Sequence, residues 1–288
     1  MKVAHSPAEL ERAERAVAIG TFDGVHRGHR AVIEAAAASG PRSTVVTFQP
    51  HPRLVLGYEV QLLSTFERRV ELIGALGPDE LLGIEFTLEL SRLQPEEFVA
   101  QVLGPIGTRV VFAGADFRFG AGRRGDVALL ERLGLEVRPV PLVEGVSSSR
   151  IRELAAKGDV SGAAELLGRP FELEGTVVAG DQRGGTLGFP TANIAVADHL
   201  LVPAHGIYAG AALGRRAAVS IGVNPHYGGR ERRVEAFLLD FEGDLYGKTL
   251  RVELWQRLRE ERAFASESDL VAQIEHDVEA ARAADPPV

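Results

Sequence analysis

The chain has no cysteine, one methionine and one tryptophan among its 288 residues. Without cysteine there is no disulfide, no thiolate nucleophile and no Cys-ligated zinc or iron–sulfur centre. Long apolar runs are also missing: no stretch approaches the roughly 20 residues of a membrane-spanning helix. The first residues offer neither an apolar core nor a small-residue cleavage site, so no signal peptide is expected and the chain reads as cytoplasmic. Positive charge is not in excess, with 32 Lys and Arg against 40 Asp and Glu and a formal net charge of −8. That balance argues against nucleic acid or a membrane as partner, although local arginines can still hold a small phosphate. What remains is 45% hydrophobic and 25% charged, typical of a soluble globular protein, with length for one large domain or two ordinary ones.

The most informative segment runs from Gly20 through Phe22, Asp23, Gly24, Val25, His26 and Gly28 to His29. It begins where the apolar run Val17-Ala18-Ile19 ends and leads into a helical pattern. Two histidines therefore sit at a strand-to-helix turn. A helix start presents free backbone N–H groups and the positive end of the macrodipole, which suits a phosphate. Gly24 and Gly28 permit close backbone approach. His26 and His29 can donate to phosphate oxygens and stabilise charge that develops in a transition state.

The first half alternates short apolar runs with helical patterns. Strands are predicted over 17–22, 44–48, 80–84, 109–113 and 136–140, and helices over 28–38, 65–76, 95–103 and 126–133. The alternation predicts a doubly wound parallel sheet, whose ligands bind at the carboxyl ends of its strands. Polar clusters follow four of those strands: His26 and His29, then Pro50-His51-Pro52, then the block beginning at Asp116, then Ser147-Ser148-Ser149-Arg150. Each has a plain alternative. Two prolines make a rigid turn whatever the function. Asp116 can cap a turn, Phe117 and Phe119 can be core, Arg123 and Arg124 read as a solvated loop, and a serine run is an ordinary helix cap.

A boundary falls at Gly168-Arg169-Pro170, dividing the chain into 1–168 and 169–288. Beyond it, strand-like segments over 171–178, 206–213, 217–222, 234–241 and 249–258 are separated by Gly-rich turns, so an antiparallel β-barrel is predicted. A terminal helix from Glu267 to about Arg282 begins at a capping-box-like Ser266 and Asp269, with Leu270, Ile274 and Val278 on one face. The Gly-rich stretch from Gly180 through Arg183 and Gly188 to Pro190-Thr191-Ala192-Asn193 lacks a Walker lysine and is no P-loop. It is either a long hairpin or, through Thr191 and Asn193, a source of hard oxygen ligands for nucleotide-bound Mg²⁺.

Together these strings resemble known families. Gly-x-Phe-Asp-Gly-Val-His-x-Gly-His over 20–29 is similar to the FAD synthetase branch of the nucleotidylyltransferases, as are the blocks at Pro50–Pro52, Gly114–Gly120 and Val146–Arg152. Pro190–Asn193, the segment Val234–Phe241 and the segment Arg257–Phe264 resemble riboflavin kinase. The resemblance implies a prokaryotic-type bifunctional enzyme that phosphorylates riboflavin to FMN and adenylylates FMN to FAD, with ATP and Mg²⁺. It implies ATP contacts at Gly20, Phe22, Asp23, His26, His29, Ser147, Ser148 and Arg150, and flavin contacts at Pro50, His51, Pro52 and Asp116. In the second half it implies ATP contacts at Gly180, Arg183, Gly188, Pro190, Thr191 and Asn193, Mg²⁺ at Thr191 and Asn193, and flavin contacts at Arg259 and Phe264. Glu235 is implied as the base for the riboflavin hydroxyl; without the resemblance it reads as an outward-facing glutamate on a half-buried strand. Ser149, Gly185, His226 and Tyr227 depart from the family pattern. A transferase for another acceptor and a flavin-binding regulatory module without turnover are the alternatives. The oligomeric state is not readable.

Overall fold

The computed structural model describes residues 1–180, 187–223 and 232–287. Contacts divide the chain into two units, Met1–Val60 with Thr65–Val146, and Gln61–Ser64 with Ser147–Val288. The expected positions Arg183, Gly185, His226 and Tyr227 lie outside the described residues.

The first unit contains β1 (Lys2–Ala4), β2 (Arg15–Ile19), β3 (Arg42–Gln49), β4 (Glu80–Glu85), β5 (Thr108–Gly114) and β6 (Glu136–Val140). Its helices are α1 (Arg27–Ala37), α2 (Pro52–Val55), α3 (Phe66–Gly74), α4 (Leu88–Arg92), α5 (Pro95–Phe98) and α6 (Val127–Arg132). The strands form one sheet in the order β1-β4-β3-β2-β5-β6, and every pair is parallel. The predicted doubly wound sheet is therefore present. Alternate residues of each strand feed two cores. Ala16, Ala18 and Val45 pack with Ile33 of α1 and Ile73 of α3, whereas Val17, Ile19 and Val46 pack with Phe98, Leu103 and Leu130. Burial on both faces is why these strands read as continuous apolar runs.

Several boundaries differ from the sequence expectation. β2 stops at Ile19 rather than Phe22, because Phe22 takes φ +50° and leaves the extended region. The expected helix 95–103 is α-helical only to Phe98 and continues as a π-helix over Val99–Leu103, with the Gly104 N–H donating to the Val99 carbonyl. β1 was not expected, since it is three residues long with only Ala4 buried.

The second unit contains α7 (Ser148–Ala156), α8 (Val160–Leu167), β7 (Phe171–Val178), β8 (Ala192–Ala195), β9 (Gly206–Ala212), β10 (Arg215–Val223), β11 (Arg232–Leu238), β12 (Thr249–Arg259) and α9 (Glu267–Ala283). The strands close into an antiparallel barrel in the order β10-β11-β8-β7-β12-β9. Its interior holds Leu173, Val219, Ile221, Val234, Ala236 and Val252, and Ile151, Val160 and Leu167 of the two helices join that core. β8 went unexpected because it has four residues, of which Ile194 alone is buried. β11 ends at Leu238, not Phe241, where Asp240 turns at φ +54°. α9 starts as expected, with Ser266 accepting from the Asp269 N–H at 3.1 Å. Its buried residues are Val278, Ala281 and Asp277, while Leu270 and Ile274 are half-buried.

At the amino ends of the parallel strands, Arg15 is fully buried and its Nε donates to Glu80 at 2.8 Å. The Thr44 hydroxyl donates to the same carboxylate at 2.8 Å. Burial pushes the Glu80 carboxyl up, but the hydrogen bonds from Arg15 and Thr44 outweigh it, and the net shift is downward. Glu80→Ala leaves Arg15 buried without its partner and should cost about 3–5 kcal/mol in urea unfolding at neutral pH. A folded-state value below the unfolded one means the contribution is complete above the ordinary carboxylate range and is lost as pH falls through the folded value. The gap between wild type and variant should therefore narrow on acidification; a constant gap would count against this assignment.

Candidate active sites in the two units

In the first unit the expected residues gather where β2, β3 and β5 end. The strand order reverses around β2, with β3 and β4 on one side and β5 and β6 on the other, so the switch point of the sheet lies between the carboxyl ends of β2 and β5. The segment after β2 has an unusual backbone. Phe22, Gly24 and Val25 have φ of +50°, +77° and +40°. Positive φ at a phenylalanine and a β-branched valine is a strained arrangement, held by surrounding contacts. Phe22, Asp23, Val25 and His26 are all buried.

His26 is the N-cap of α1, and its Nδ1 accepts from the His29 N–H at 3.2 Å. A neutral His26 therefore carries its proton on Nε2. The two imidazoles stack with ring centres 3.5 Å apart and 17° between planes, and Phe22 meets His29 edge-on at 5.3 Å. Gly28 makes room for this: a Cβ there would lie 3.3 Å from the His26 ring. His51 repeats the device at the next strand end. It is buried, caps α2, and its Nδ1 accepts from the Arg53 N–H at 3.2 Å. Pro50 is exposed beside it, and Pro52 opens α2. Asp116 is exposed just after β5, while Phe117 and Phe119 stack and pack into the core. Ser147 is exposed and caps α7 by accepting from the Arg150 N–H at 3.1 Å; Ser148 opens that helix, and exposed Arg150 reaches Glu153 at 3.1 Å. By contacts this helix belongs to the second unit.

Sequence reasoning missed Arg69. It lies on α3 and is fully buried, with its Nη1 donating to the Thr21 carbonyl at 2.8 Å and the Phe48 carbonyl at 3.1 Å. Burial pushes its guanidinium down, and the Asp23 carboxylate opposes that. Its Nε and Nη2 have no hydrogen-bond partner among the described residues, at a penalty of about 1–3 kcal/mol each. The signal was an arginine between Phe66 and Ile73 on the helix's apolar face.

In the second unit the barrel register sets Glu235 of β11 directly across from Asn193 of β8, with Ser220 of β10 on its other side. Arg233, two residues before Glu235 and so on the same strand face, is ion-paired with the Glu235 carboxylate. Its Nε also donates to the Asn193 Oδ1 at 3.3 Å. Arg233 was missed because the recognisable string begins one residue later. Gly180 backs the Asn193 side chain so closely that a Cβ there would overlap the carboxamide. Phe189 meets Phe237 of β11 edge-on at 5.5 Å, which anchors the segment carrying exposed Pro190 and half-buried Thr191. Gly188 has φ +88° and is exposed. Arg259 is committed to α9: its Nε and Nη2 donate to Asp277 at 2.9 and 2.7 Å, with Phe264 5.8 Å from the guanidinium.

Among the described residues no group of three His, Cys, Asp or Glu side chains is arranged to hold a metal. The Thr191 hydroxyl and Asn193 carboxamide are nevertheless hard oxygen donors of the kind that suits Mg²⁺ already carried by phosphates, and the glycine cradle behind Asn193 keeps that side chain in place. The two fit the ion as partial ligands.

Residues 8–151 match the FAD synthetase family, and residues 167–284 match the riboflavin kinase family. A bifunctional riboflavin kinase/FMN adenylyltransferase of Listeria monocytogenes serovar 1/2a is 35% identical and covers 93% of this chain and 92% of its own length. The chain belongs to the bifunctional riboflavin kinase/FMN adenylyltransferase family. A Pseudomonas fluorescens member is 37% identical, covering 92% of this chain and 91% of that protein. A Streptococcus pneumoniae crystal structure, described as a macrolide-efflux protein, shares the fold at TM-score 0.89 and 30% identity, covering 98% of this chain and 99% of that one. Among the described residues no helix is long and apolar enough to cross a membrane.

The Gly180 cradle can be tested without substrate. Gly180→Ala should destabilise the second unit by about 1–3 kcal/mol in denaturant unfolding, because the added Cβ would push the Asn193 carboxamide from its place. Adding Asn193→Gly should recover much of that loss. Additive effects of the two changes would mean that the cradle is not the cause.

Proposed function

We propose that this chain makes FAD from riboflavin in two ATP-dependent steps, with the kinase step assigned to residues 169–288 and the adenylylation step to residues 1–168. The observation that carries the reading is the pairing of a complete two-family match with two separately built constellations, the stacked histidine turn and the Asn193–Glu235 register.

In the kinase step the riboflavin 5′-hydroxyl attacks the γ-phosphorus of ATP, ADP leaves, and Glu235 takes the hydroxyl proton. The cross-strand placement of Asn193 and Glu235 supports this, since it puts a phosphate-side amide beside a proton acceptor. Thr191 and Asn193 would hold Mg²⁺ with the nucleotide, and the ion would neutralise charge on the phosphates. Gly180, Arg183, Gly188 and Pro190 border the ATP. Arg259, tied to Asp277, and Phe264 border the flavin.

In the adenylylation step the FMN phosphate attacks the α-phosphorus of a second ATP and pyrophosphate leaves. The nucleophile is already an anion, so no protein base is needed. Catalysis rests on position and charge. Gly20, Phe22 and Asp23 shape the turn. His26, His29 and the start of α1 receive the phosphates, and Ser147, Ser148 and Arg150 at the start of α7 also act on them. Pro50, His51, Pro52 and Asp116 contact the flavin side.

The division of labour is tested by two substitutions and product chromatography. Glu235→Ala should lower FMN formation by roughly 10²–10⁴-fold and leave conversion of supplied FMN to FAD intact. His29→Ala should do the reverse, with adenylylation down about 10²–10³-fold. One substitution abolishing both activities in a folded protein would sink the assignment. Chelation with EDTA should stop both steps and added Mg²⁺ should restore them; turnover undiminished in EDTA would refute the metal requirement.

A further inference from the structure

We propose that Arg69 is a positioning residue for adenylyl transfer, acting as a single buried clamp on the two loops that carry the nucleotide side and the flavin side of that site. The inference rests on the reading that the first unit adenylylates FMN at the carboxyl ends of β2 and β3.

Three observations carry it. The first is placement. The Nη1 of Arg69 donates to the carbonyl of Thr21, one residue after Gly20, and to the carbonyl of Phe48, three residues before His51. The Thr47 hydroxyl completes the triangle, 3.4 Å from Nη1 and donating to the Thr21 carbonyl at 3.1 Å. One nitrogen therefore ties the start of the histidine turn to the start of the His51 turn. The caps at His26 and His51 each act within their own helix start, whereas Arg69 and Thr47 reach from one strand end to the other.

The second is the cost of the arrangement. Arg69 is among the largest fully buried side chains of the chain. Two of its three nitrogens lack hydrogen-bond partners among the described residues. Its compensation is the Asp23 carboxylate, itself 1% exposed, then the Glu67 carboxylate and the Phe66 ring 5.5 Å from the guanidinium. An apolar side chain at this helix position would fill the core without burying a charge, so stability alone is a poor reason for an arginine here. The third is strain. The turn that Arg69 holds contains two non-glycine residues at positive φ, and such a turn keeps its shape only where surrounding contacts dictate it.

The clamp sets the separation of the two half-sites and steadies the turn at one of them. Its loss should therefore fall on the step in which FMN and ATP must meet, and a displacement of about 1 Å between reacting groups is enough for a hundredfold loss. The test uses the full chain with Arg69→Met and Arg69→Lys, assayed for FAD formation from supplied FMN, ATP and Mg²⁺. Arg69→Met should lower kcat by about a hundredfold with both KM values within threefold of wild type. Arg69→Lys, which keeps the charge and can donate to both carbonyls, should recover at least tenfold of that loss. Riboflavin phosphorylation by the same variants should remain at the wild-type rate. A folded Arg69→Met protein with wild-type kcat would overturn the proposal, as would a rise in KM alone. If Arg69→Met fails to fold, Arg69→Gln, which lacks the charge and the guanidinium fork, decides through its kcat: a fall of tenfold or more at unchanged KM supports the clamp, and an unchanged kcat overturns it. Failure of the unsubstituted chain to form FAD would refute the adenylylation reading itself, and the clamp with it.

Discussion

Parallel pairing is the constraint on which the first unit depends. Because all the strands run in one direction, their carboxyl ends meet at one edge, and the residues that follow them are gathered there whatever their distance in sequence. Gly20, Gln49 and Ala115 immediately follow or close strands that are neighbours through β2. Parallel pairing in turn needs both faces covered, which the alternation of Ala16 and Ala18 with Val17 and Ile19 provides. The opposite edge carries the other buried ionic group, Arg15 with Glu80. It is satisfied within itself by Thr44 and backbone carbonyls and presents no unpaired donor to a ligand. The two edges thus differ in kind: at one the buried ion pair is closed by its own hydrogen bonds, and at the other helix starts and imidazoles stand at loop ends.

The barrel reaches the same result through register. Glu235 and Asn193 are 42 positions apart by their numbering, and only the β8–β11 pairing makes them neighbours. A slip of one residue would turn Glu235 towards the interior shared by Val234 and Ala236. The apolar residues on either side of Glu235 therefore hold the carboxylate on the outer face as firmly as any hydrogen bond does. Arg233 follows the same rule from two residues earlier, which is why one arginine can touch both Glu235 and Asn193.

What was legible in the sequence followed periodicity and strings. Short apolar runs located β3 and β5, and the capping-box-like Ser266 and Asp269 marked a helix start that the structure contains. Short elements were not legible. β1 and β8 have three and four residues, too few to show a period, and they form through the strands they pair with. The site residues that were missed share a cause. Arg69 and Arg233 belong to no motif; each matters through a neighbour brought close by folding, a pair of carbonyls in one case and two side chains across a strand pair in the other. A single sequence reports the residues that break a pattern, and Arg69 did break the apolar face of α3. It does not say to which loop ends such a residue reaches.

On the proposed assignment the two constellations differ because their nucleophiles differ. A phosphate is ionised before it attacks, so the first unit needs donors and a fixed separation, and its polar groups are donors or caps: imidazoles, helix starts and a guanidinium on two carbonyls. A hydroxyl must lose a proton as it attacks, so on the proposed assignment the second unit needs an acceptor beside the phosphate-side ligands, and a carboxylate opposite an amide on adjacent strands would supply that. Strand-end loops are suited to the first task because several helix starts can converge on one anion. A barrel wall is suited to the second because strand register fixes two side chains side by side. Neither scaffold would easily serve the other's reaction: a barrel wall in this arrangement presents paired backbone groups and no helix start, and a loop edge has no register to hold a base against its partner.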